Sequence, residues 1–199
     1  MEALRTFIAI EPDPPARAWL ALCLQALRGR FPGVRWVRPE HLHITLRFLG
    51  DVEAGRIDGL KALVGRAVRG TPPFRVDFGP PGAFGSRHSP RVFWLGLRPG
   101  RDLDLLKAFQ RRLEEGLVAG GFGLEDHPWT AHLTLGRNPD GRPAEGWEAV
   151  LPHWEGSGPC GFPVPGVHLF RSELAPKGPI HTVLQVSPLG DLPGAEVSP

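Results

Sequence analysis

A four-residue motif, histidine, any residue, threonine and leucine, occurs twice in the chain, as HITL at residues 43–46 and as HLTL at residues 132–135. Side chains alternate between the two faces of a β-strand, so each copy would place its histidine and threonine on one face and its apolar residues on the other. Such strands require a fold that buries the apolar face of each against a core. If the two strands lie close together, two histidines and two threonines line one cleft.

These four side chains are suited to acid–base chemistry on a phosphate. His43 and His132 have an ordinary pKa near about 6.5, so one ring can accept a proton while the other donates one. Thr45 and Thr134 can donate hydrogen bonds to phosphate oxygens as negative charge develops there. A single copy of the motif would be weak evidence, whereas two copies at matched places in two half-repeats indicate one site.

Arginine supplies almost all of the positive charge, because lysine occurs only at positions 61, 107 and 177. Arginine can bind phosphate through two parallel hydrogen bonds, although a GC-rich genome explains the same composition equally well. The net charge of +2 is too small to indicate a partner by itself. Arg137 or Arg47, which follow the two threonines, could clamp a phosphate, although strand alternation points Arg137 away from the face of His132.

The composition is that of a globular protein that we expect to be a cytoplasmic monomer. The chain has 199 residues, no apolar run of membrane-spanning length, and an N-terminus without the pattern of a signal peptide. Its two cysteines, Cys23 and Cys160, predict no disulfide framework, and Cys23 is expected in the core. Abundant proline, with Asn138 as the only asparagine, fits a thermophile.

Hydrophobic periodicity predicts a mixed α+β fold. The predicted helices are 14–30, capped by Asp13, 57–68 and 103–117. The predicted strands are 5–10, 34–37, 42–49, 74–78, 92–97, 131–137, 167–174 and 180–186, with loops at 79–90 and 138–148. The order strand, helix, motif strand recurs at 5–49 and 92–137, which predicts two similar lobes. We expect one domain over residues 1–186 and a disordered tail at 187–199.

Four stretches together resemble a known family: TFIAIE at 6–11, HLHITLRFLG at 41–50, AHLTLGR at 131–137, and a hairpin over 169–180 with Ser172, Leu174 and Gly178. They resemble the 2H phosphoesterase superfamily, and within it the RNA 2′,3′-cyclic phosphodiesterases, also called 2′-5′ RNA ligases. The resemblance implies a bilobal α+β fold with two pseudo-symmetric lobes of antiparallel sheet and helices around a central cleft.

The same resemblance implies hydrolysis of a terminal 2′,3′-cyclic phosphate on RNA, such as a tRNA fragment, to a 2′-phosphate without a metal or other cofactor. It implies that His43 is the general acid that protonates the departing 3′ oxygen and that His132 is the general base that activates water. Thr45 and Thr134 would hold the phosphate. With a 5′-hydroxyl in place of water the product would be a 2′-5′ linkage, and in the reverse direction the histidines exchange roles.

The chain differs from the family pattern at two places. Ala131 stands where the family often has proline before the second histidine. His181 stands in the closing hairpin where the family often has tyrosine, and the chain has no tyrosine. Three further residues are candidate RNA contacts: Arg47, Phe84 in the loop 79–90, and Arg171 in the closing hairpin.

Two other classes of function compete with this interpretation. His41 and His43, two residues apart on one strand face, could bind zinc together with His132 and make a bound water the nucleophile. That site would give His41 a role but would leave the threonines unexplained. Alternatively, the same cleft could belong to a module that binds RNA ends or nucleotides without turnover. His127, His153, His168 and His181 have no partner pattern.

Overall fold

Among the residues that a computed structural model of the protein describes, nine strands form two antiparallel sheets, and three α-helices pack around them. The structure describes residues 2–86, 88–125, 127–151, 160–176 and 178–190. The first sheet has the order β3 (Ile44–Glu53), β1 (Ala3–Ile10), β8 (Gly166–Ala175), β9 (Gly178–Pro188). The second has the order β2 (Arg35–Trp36), β6 (His132–Arg137), β5 (Pro90–Leu97), β4 (Phe74–Gly85), β7 (Gly161–Val164). The helices are α1 (Pro14–Arg30), α2 (Ile57–Ala67) and α3 (Arg101–Ala119).

The two sheets have matching strand orders. The order β3-β1-β8-β9 in the first corresponds to β6-β5-β4-β7 in the second, where β2 is an additional strand beside β6. Each motif strand therefore pairs with the strand that opens its half of the chain, and every neighbouring pair is antiparallel. The predicted α+β fold with two pseudo-symmetric lobes is confirmed.

The helices cross between the lobes, which the strand–helix–strand pattern does not predict. Trp19 of α1 stacks on Phe78 of the second sheet, with ring centroids 5.5 Å apart. The side chain of Gln110 in α3 donates to the carbonyl oxygen of Leu46 in the first sheet over 3.4 Å. One continuous cluster of buried apolar side chains consequently includes residues of both sheets. Because the lobes share a core, the position of one motif strand relative to the other is fixed.

Helix α1 follows its sequence signals closely. The carboxylate of Asp13 accepts the backbone N–H of Ala16 over 3.0 Å, and Pro14 occupies the first helical position, where it needs no N–H partner. The buried stripe consists of Ala16, Trp19, Leu20, Cys23, Leu24 and Leu27. Burial raises the pKa of the Cys23 thiol to about 11, as expected of a cysteine that packs in a core.

The prediction of a loop at 79–90 is wrong for most of that segment. Strand β4 continues to Gly85 and β5 begins at Pro90. An irregularity in the pairing between Phe78 and Pro81 gives β4 one extra residue there, which accommodates the two prolines within the strand. Phe84 therefore lies on a strand and has a fixed position.

The closing hairpin of β8 and β9 is confirmed and is longer than predicted. Strand β9 continues to Pro188 and Leu189 is buried, so the ordered chain extends past the predicted boundary at 186. Residues 191–199 of the expected tail lie outside the described residues. Strand β7 was not predicted. No helix among the described residues is long and apolar enough to cross a membrane.

Candidate active site

A β-bulge in the second motif brings Arg137 to the side of its histidine. Between Thr134 and Gly136, strand β6 advances by two residues while its partner β5 advances by one, so Leu135 is an extra residue. An extra residue reverses the alternation that follows it. Arg137 therefore lies on the same face as His132 and Thr134 and lines the cleft between the sheets. The expectation that Arg137 points away from His132 is wrong.

The corresponding bulge in the first motif has the opposite consequence for Arg47. Between Thr45 and Arg47, strand β3 advances by two residues while β1 advances by one. Arg47 consequently turns to the core side and is only 5 % exposed. Its guanidinium lies 3.3 Å from a carboxylate oxygen of Glu114 and 2.6 Å from one of Glu125. The predicted role of Arg47 as a phosphate clamp or RNA contact is wrong, because its charge is paired inside the protein.

The two motifs are therefore equivalent in backbone but different in chemistry. Each bulge falls on the leucine of its motif, so Arg47 corresponds in position to Gly136, and Phe48 corresponds to Arg137. Only the second motif presents a guanidinium beside the histidine–threonine pair. The cleft is asymmetric at its centre even though the sheets that form it are related by pseudo-symmetry.

Both motif histidines have the same backbone hydrogen bond. The Nδ1 of His43 lies 2.7 Å from the carbonyl oxygen of His41, and the Nδ1 of His132 lies 2.7 Å from that of Thr130. A carbonyl oxygen can only accept, so Nδ1 carries the hydrogen in both rings. Each ring is thereby fixed in orientation, and Nε2 is the nitrogen left to exchange a proton with a ligand.

Burial favours the neutral form of both rings. Desolvation lowers the pKa of His43 to about 4, against the raising effect of its hydrogen bond to the His41 carbonyl. Positive charge on His181, His41 and Arg137 lowers it further. Desolvation also lowers the pKa of His132, and the charge of Arg137 adds to this. Titrating groups with perturbed pKa values that face one cleft are typical of functional sites.

Aromatic rings surround His43 beneath the cleft surface. Phe7 lies 4.9 Å from His43 between ring centroids and stacks on Phe170 at the same distance. His181 lies 5.6 Å from His43 and 4.8 Å from His41, and burial, followed by the charge of His41, lowers its pKa. His181, which has no partner pattern in the sequence, is thus a neighbour of the first motif histidine. Its pairing with Ser172 across the hairpin positions it there.

Different aromatic rings adjoin His132. Phe84 lies 5.3 Å from His132 with the rings perpendicular, and Trp94 lies 6.1 Å away. Phe84 is 41 % exposed. The structure therefore places Phe84, predicted as an RNA contact in a loop, next to the second motif histidine.

The cleft between the sheets has a volume of about 890 Å³. It is lined by His41, His43, Thr45, Thr134 and Arg137, together with Arg35, Trp36, Val37, Arg38, Arg91, Asn138, Pro139, Pro176, Gly178, Pro179 and His181. His132 stands beside this cavity on the strand that supplies Thr134. The indole N–H of Trp129 donates to the carbonyl oxygen of Thr45 over 2.8 Å, which ties the segment before β6 to the first motif strand. Arg35, Arg38 and Arg91 were not predicted as site residues, since no motif includes them.

Arg171 does not line the cleft. Neighbouring residues of a strand point to opposite faces, and Phe170 is on the cleft side with Phe7. Arg171 instead pairs with Glu173 at 3.1 Å. Arg171 therefore lies outside the cleft, and its predicted contact with RNA stays a prediction.

His168 lies 3.3 Å from Glu11, His88 pairs with Glu145 at the surface, and His127 is exposed. His153 lies outside the described residues.

The premise of the zinc alternative is wrong. His41 belongs to a short 3₁₀ turn, Pro39–His41, so it does not share a strand face with His43. Within the described ranges, no group of three histidine, cysteine, aspartate or glutamate side chains is arranged to hold a metal ion. The carbonyl of His41 is instead the acceptor that fixes the His43 ring.

Comparison with known proteins gives one consistent family. The model of the 2′-5′ RNA ligase superfamily matches residues 12–175. An RNA 2′,3′-cyclic phosphodiesterase of Thermotoga maritima is 33% identical over 184 residues, which are 91% of this chain and 93% of that protein.

Two solved structures share the fold over nearly their whole lengths. TT0787 of Thermus thermophilus has a TM-score of 0.72 and 32% identity, and the match covers 94% of this chain and 98% of that one. E. coli LigT complexed with 3′-AMP has a TM-score of 0.70 and 25% identity, with 96% and 100% covered.

Proposed function

The chain belongs to the 2′-5′ RNA ligase superfamily and is an RNA 2′,3′-cyclic phosphodiesterase, and we propose that it opens the terminal cyclic phosphate by acid–base catalysis between His43 and His132. The observation that supports this mechanism best is the matched Nδ1 hydrogen bond of the two rings. It leaves Nε2 of each ring for the reaction, at the end of a strand that also presents a threonine hydroxyl.

In the proposed reaction, a water oxygen attacks phosphorus as its proton passes to Nε2 of His132. The bond between phosphorus and the 3′ oxygen breaks, and Nε2–H of His43 protonates that oxygen, which leaves a 2′-phosphate and a free 3′-hydroxyl. Each proton transfer of this kind contributes about 10²–10⁴ in rate. Thr45, Thr134 and Arg137 bind the nonbridging oxygens, where negative charge increases in the transition state.

The general acid must be protonated when the reaction begins. Burial holds His43 neutral in the free protein, because it lowers the pKa of that ring to about 4. A phosphodiester anion in the cleft favours the imidazolium form, since an opposite charge within a few ångströms raises the pKa of a histidine. Binding of the substrate would therefore favour the protonated form that the proposed role of His43 as the acid requires.

A 5′-hydroxyl in place of water would give a 2′-5′ phosphodiester instead of a 2′-phosphate. When that linkage is cleaved back to a cyclic phosphate, His132 donates the proton and His43 accepts one, by microscopic reversibility. The substrate in the cell would be an RNA fragment with a cyclic phosphate end, such as a tRNA fragment. The cleft of the protein is lined by four arginines, whose positive charge suits RNA: Arg35, Arg38, Arg91 and Arg137.

Product analysis tests the proposal most directly. An RNA that ends in a 2′,3′-cyclic phosphate is incubated with the protein, with and without a chelator, and the product is identified by chromatography against both monophosphates. We expect a 2′-phosphate in both samples. A 3′-phosphate would mean that the other oxygen leaves, and activity lost to chelator and restored by zinc would contradict the metal-free mechanism.

Variants test the two histidines. We expect His43→Ala and His132→Ala each to reduce the rate of hydrolysis by at least about 10². His88→Ala, at an exposed histidine paired with Glu145, is the matched control and should leave the rate unchanged. Unchanged hydrolysis in either motif variant would show that the ring is not catalytic, and hydrolysis absent from the unaltered protein would favour a binding module.

A further inference from the structure

Two aromatic rings form a surface beside His132, which we call the aromatic shelf: Phe84 of β4 and Trp94 of β5. The centroids of the two rings are 5.5 Å apart. They lie 5.3 Å (Phe84) and 6.1 Å (Trp94) from the ring centroid of His132. Trp94 pairs with Thr134 across the sheet, so the shelf occupies the cleft side of the second sheet. Phe84 is exposed and Trp94 is partly exposed, and accessible aromatic rings next to a phosphate site are suited to stacking nucleobases.

The position of the shelf is set by two glycines. A Cβ atom at Gly82 would lie 2.1 Å from Cη2 of Trp94, and one at Gly96 would lie 3.3 Å from its Cζ3. The indole therefore lies directly over backbone that has no side chain, as only glycine permits. This arrangement holds the ring of Trp94 in place before any ligand binds.

Two of the aromatic rings on the other side of the site are not available in this way. Phe7 and Phe170, beside and beneath His43, are only 3 % and 4 % exposed, and their faces are covered by each other. Phe84 is 41 % exposed. Phe48, which pairs with Phe7 across β1 and β3 and is 40 % exposed, is the accessible ring on the His43 side. The shelf is the accessible aromatic surface on the side of His132.

The position of the shelf beside His132 has a chemical meaning, because nucleophile and leaving group lie on opposite sides of phosphorus in a displacement. We propose that the aromatic shelf binds the nucleoside whose 5′-hydroxyl replaces water, that is, the acceptor end of a second RNA strand. This inference rests on the proposed function, in which His43 serves the departing 3′ oxygen and His132 serves the nucleophile. Water alone needs no shelf, whereas a 5′-hydroxyl brings a ribose and a base to the side of His132.

The step balances without any further reactant. The 5′ oxygen of the acceptor bonds to phosphorus while its proton passes to Nε2 of His132. The bond from phosphorus to the 3′ oxygen breaks, and that oxygen takes the proton of Nε2 on His43. The products are a 2′-5′ phosphodiester and a 3′-hydroxyl, and the cyclic phosphate of the donor strand is the only activated bond consumed.

The partition between two products tests the shelf and is insensitive to the amount of folded enzyme. A donor RNA with a 2′,3′-cyclic phosphate end is incubated with increasing concentrations of an acceptor RNA that has a 5′-hydroxyl, and the ratio of 2′-5′ ligated product to 2′-phosphate is measured. We expect Phe84→Ala and Trp94→Leu to lower this ratio at least about tenfold, since stacking on an aromatic ring contributes substantially to binding each base. Hydrolysis without acceptor is measured on the same variants, and we expect it to fall less than ligation does.

Phe122→Ala is the control. Phe122 follows α3, and its ring lies under the guanidinium of Arg56 at 4.3 Å, outside the residues that line the cleft. We expect this variant to leave the partition unchanged. Trp94→Phe, which keeps an aromatic ring over the two glycines, should retain more ligation than Trp94→Leu.

Three results would overturn the inference and leave the proposed function standing. An unchanged ratio in both shelf variants would show that the shelf does not bind the acceptor. An equal loss of hydrolysis and ligation would assign it to the donor nucleoside instead. An unaltered protein that hydrolyses the cyclic phosphate but neither forms nor cleaves 2′-5′ linkages would show that there is no acceptor site. Absence of hydrolysis in the unaltered protein would instead contradict the proposed function itself.

Discussion

His43 and His132 are held by the same hydrogen bond: each donates Nδ1–H to the carbonyl oxygen of the residue two positions earlier, over 2.7 Å in both cases. The two rings nevertheless have different surroundings. His43 is enclosed by Phe7 and His181, whereas His132 is flanked by Phe84 and Trp94 at a more open edge of the site. The two rings thus have the same tautomer but different surroundings, and this difference allows the duplicated motif to provide both an acid and a base.

Removal of the charge of Arg137 should raise the pKa of both motif histidines. The guanidinium faces both rings, and its positive charge contributes to lowering the pKa of each. We expect Arg137→Gln to shift the titration of both rings to higher pH in NMR spectra of the imidazole carbons, and to weaken the binding of inorganic phosphate. Phosphate added to the unaltered protein should move the titration of His43 upward from about 4.

Arg91→Gln is the control for this prediction. Arg91 lines the same cleft, but its charge does not contribute to the lowered pKa of either histidine. An Arg137→Gln protein with unchanged titration of both rings would contradict the arrangement of the bulge, because it would place the guanidinium away from them.

The stability of the protein should decrease as the pH falls from about 6.5 to about 4. The pKa of His43 is near 6.5 in the unfolded chain and about 4 in the folded protein, so the unfolded chain binds its proton first. His41, His181 and Arg137 add positive charge around the ring, which opposes protonation further. Complete protonation would cost about 3 kcal/mol of unfolding free energy.

Urea unfolding at a series of pH values measures this effect. We expect His43→Gln, which cannot titrate, to lose less stability between pH 6.5 and 4 than the unaltered protein. His88→Gln, at an exposed position, should follow the unaltered protein. Parallel curves for His43→Gln and the unaltered protein would show that the ring is not desolvated as the structure indicates.

Arg47 should contribute to stability and not to catalysis. It is buried between Glu114 and Glu125, so Arg47→Met would leave carboxylates without their partner and should lower the unfolding free energy by about 2 kcal/mol or more. Arg171→Met removes an exposed pair with Glu173 and should cost less than about 1 kcal/mol. Hydrolysis per folded molecule should be unchanged in both. If Arg47→Met lost activity but kept full stability, Arg47 would have a role in the reaction after all.

Local patterns in the sequence predict the parts of this fold that repeat regularly. The apolar spacing and the cap at Asp13 predict α1, and the alternation of residues 132–135 predicts which side of β6 is buried. Both signals depend on neighbours a few residues away, so one sequence contains them in full. The resemblance of the flanking residues to a known family extends this to the arrangement of the two sheets.

The residues that were assigned wrongly depend on contacts or irregularities that no local pattern encodes. A bulge is one extra residue against a partner strand, so the reversal that exposes Arg137 and buries Arg47 can be seen only from the pairing of two strands. His181 reaches His41 and His43 from a strand more than a hundred residues away. The prolines and glycines of β4 indicate a loop until their pairing with β5 is known.

The glycine after the second bulge should be required for the position of Arg137. A Cβ atom at Gly136 would lie 2.6 Å from Cε3 of Trp36, and that indole cannot withdraw easily because its N–H donates to the carbonyl of Phe31 over 3.0 Å. We expect Gly136→Ala to cost about 1–3 kcal/mol of unfolding free energy and to weaken phosphate binding, since the strand must shift next to Arg137. Gly59→Ala, in α2 with no atom near its Cβ position, should be neutral or slightly stabilising. Calorimetry of unfolding and of phosphate binding on the two variants measures both effects. If the Gly136→Ala protein bound phosphate normally, the bulge would not set the position of Arg137.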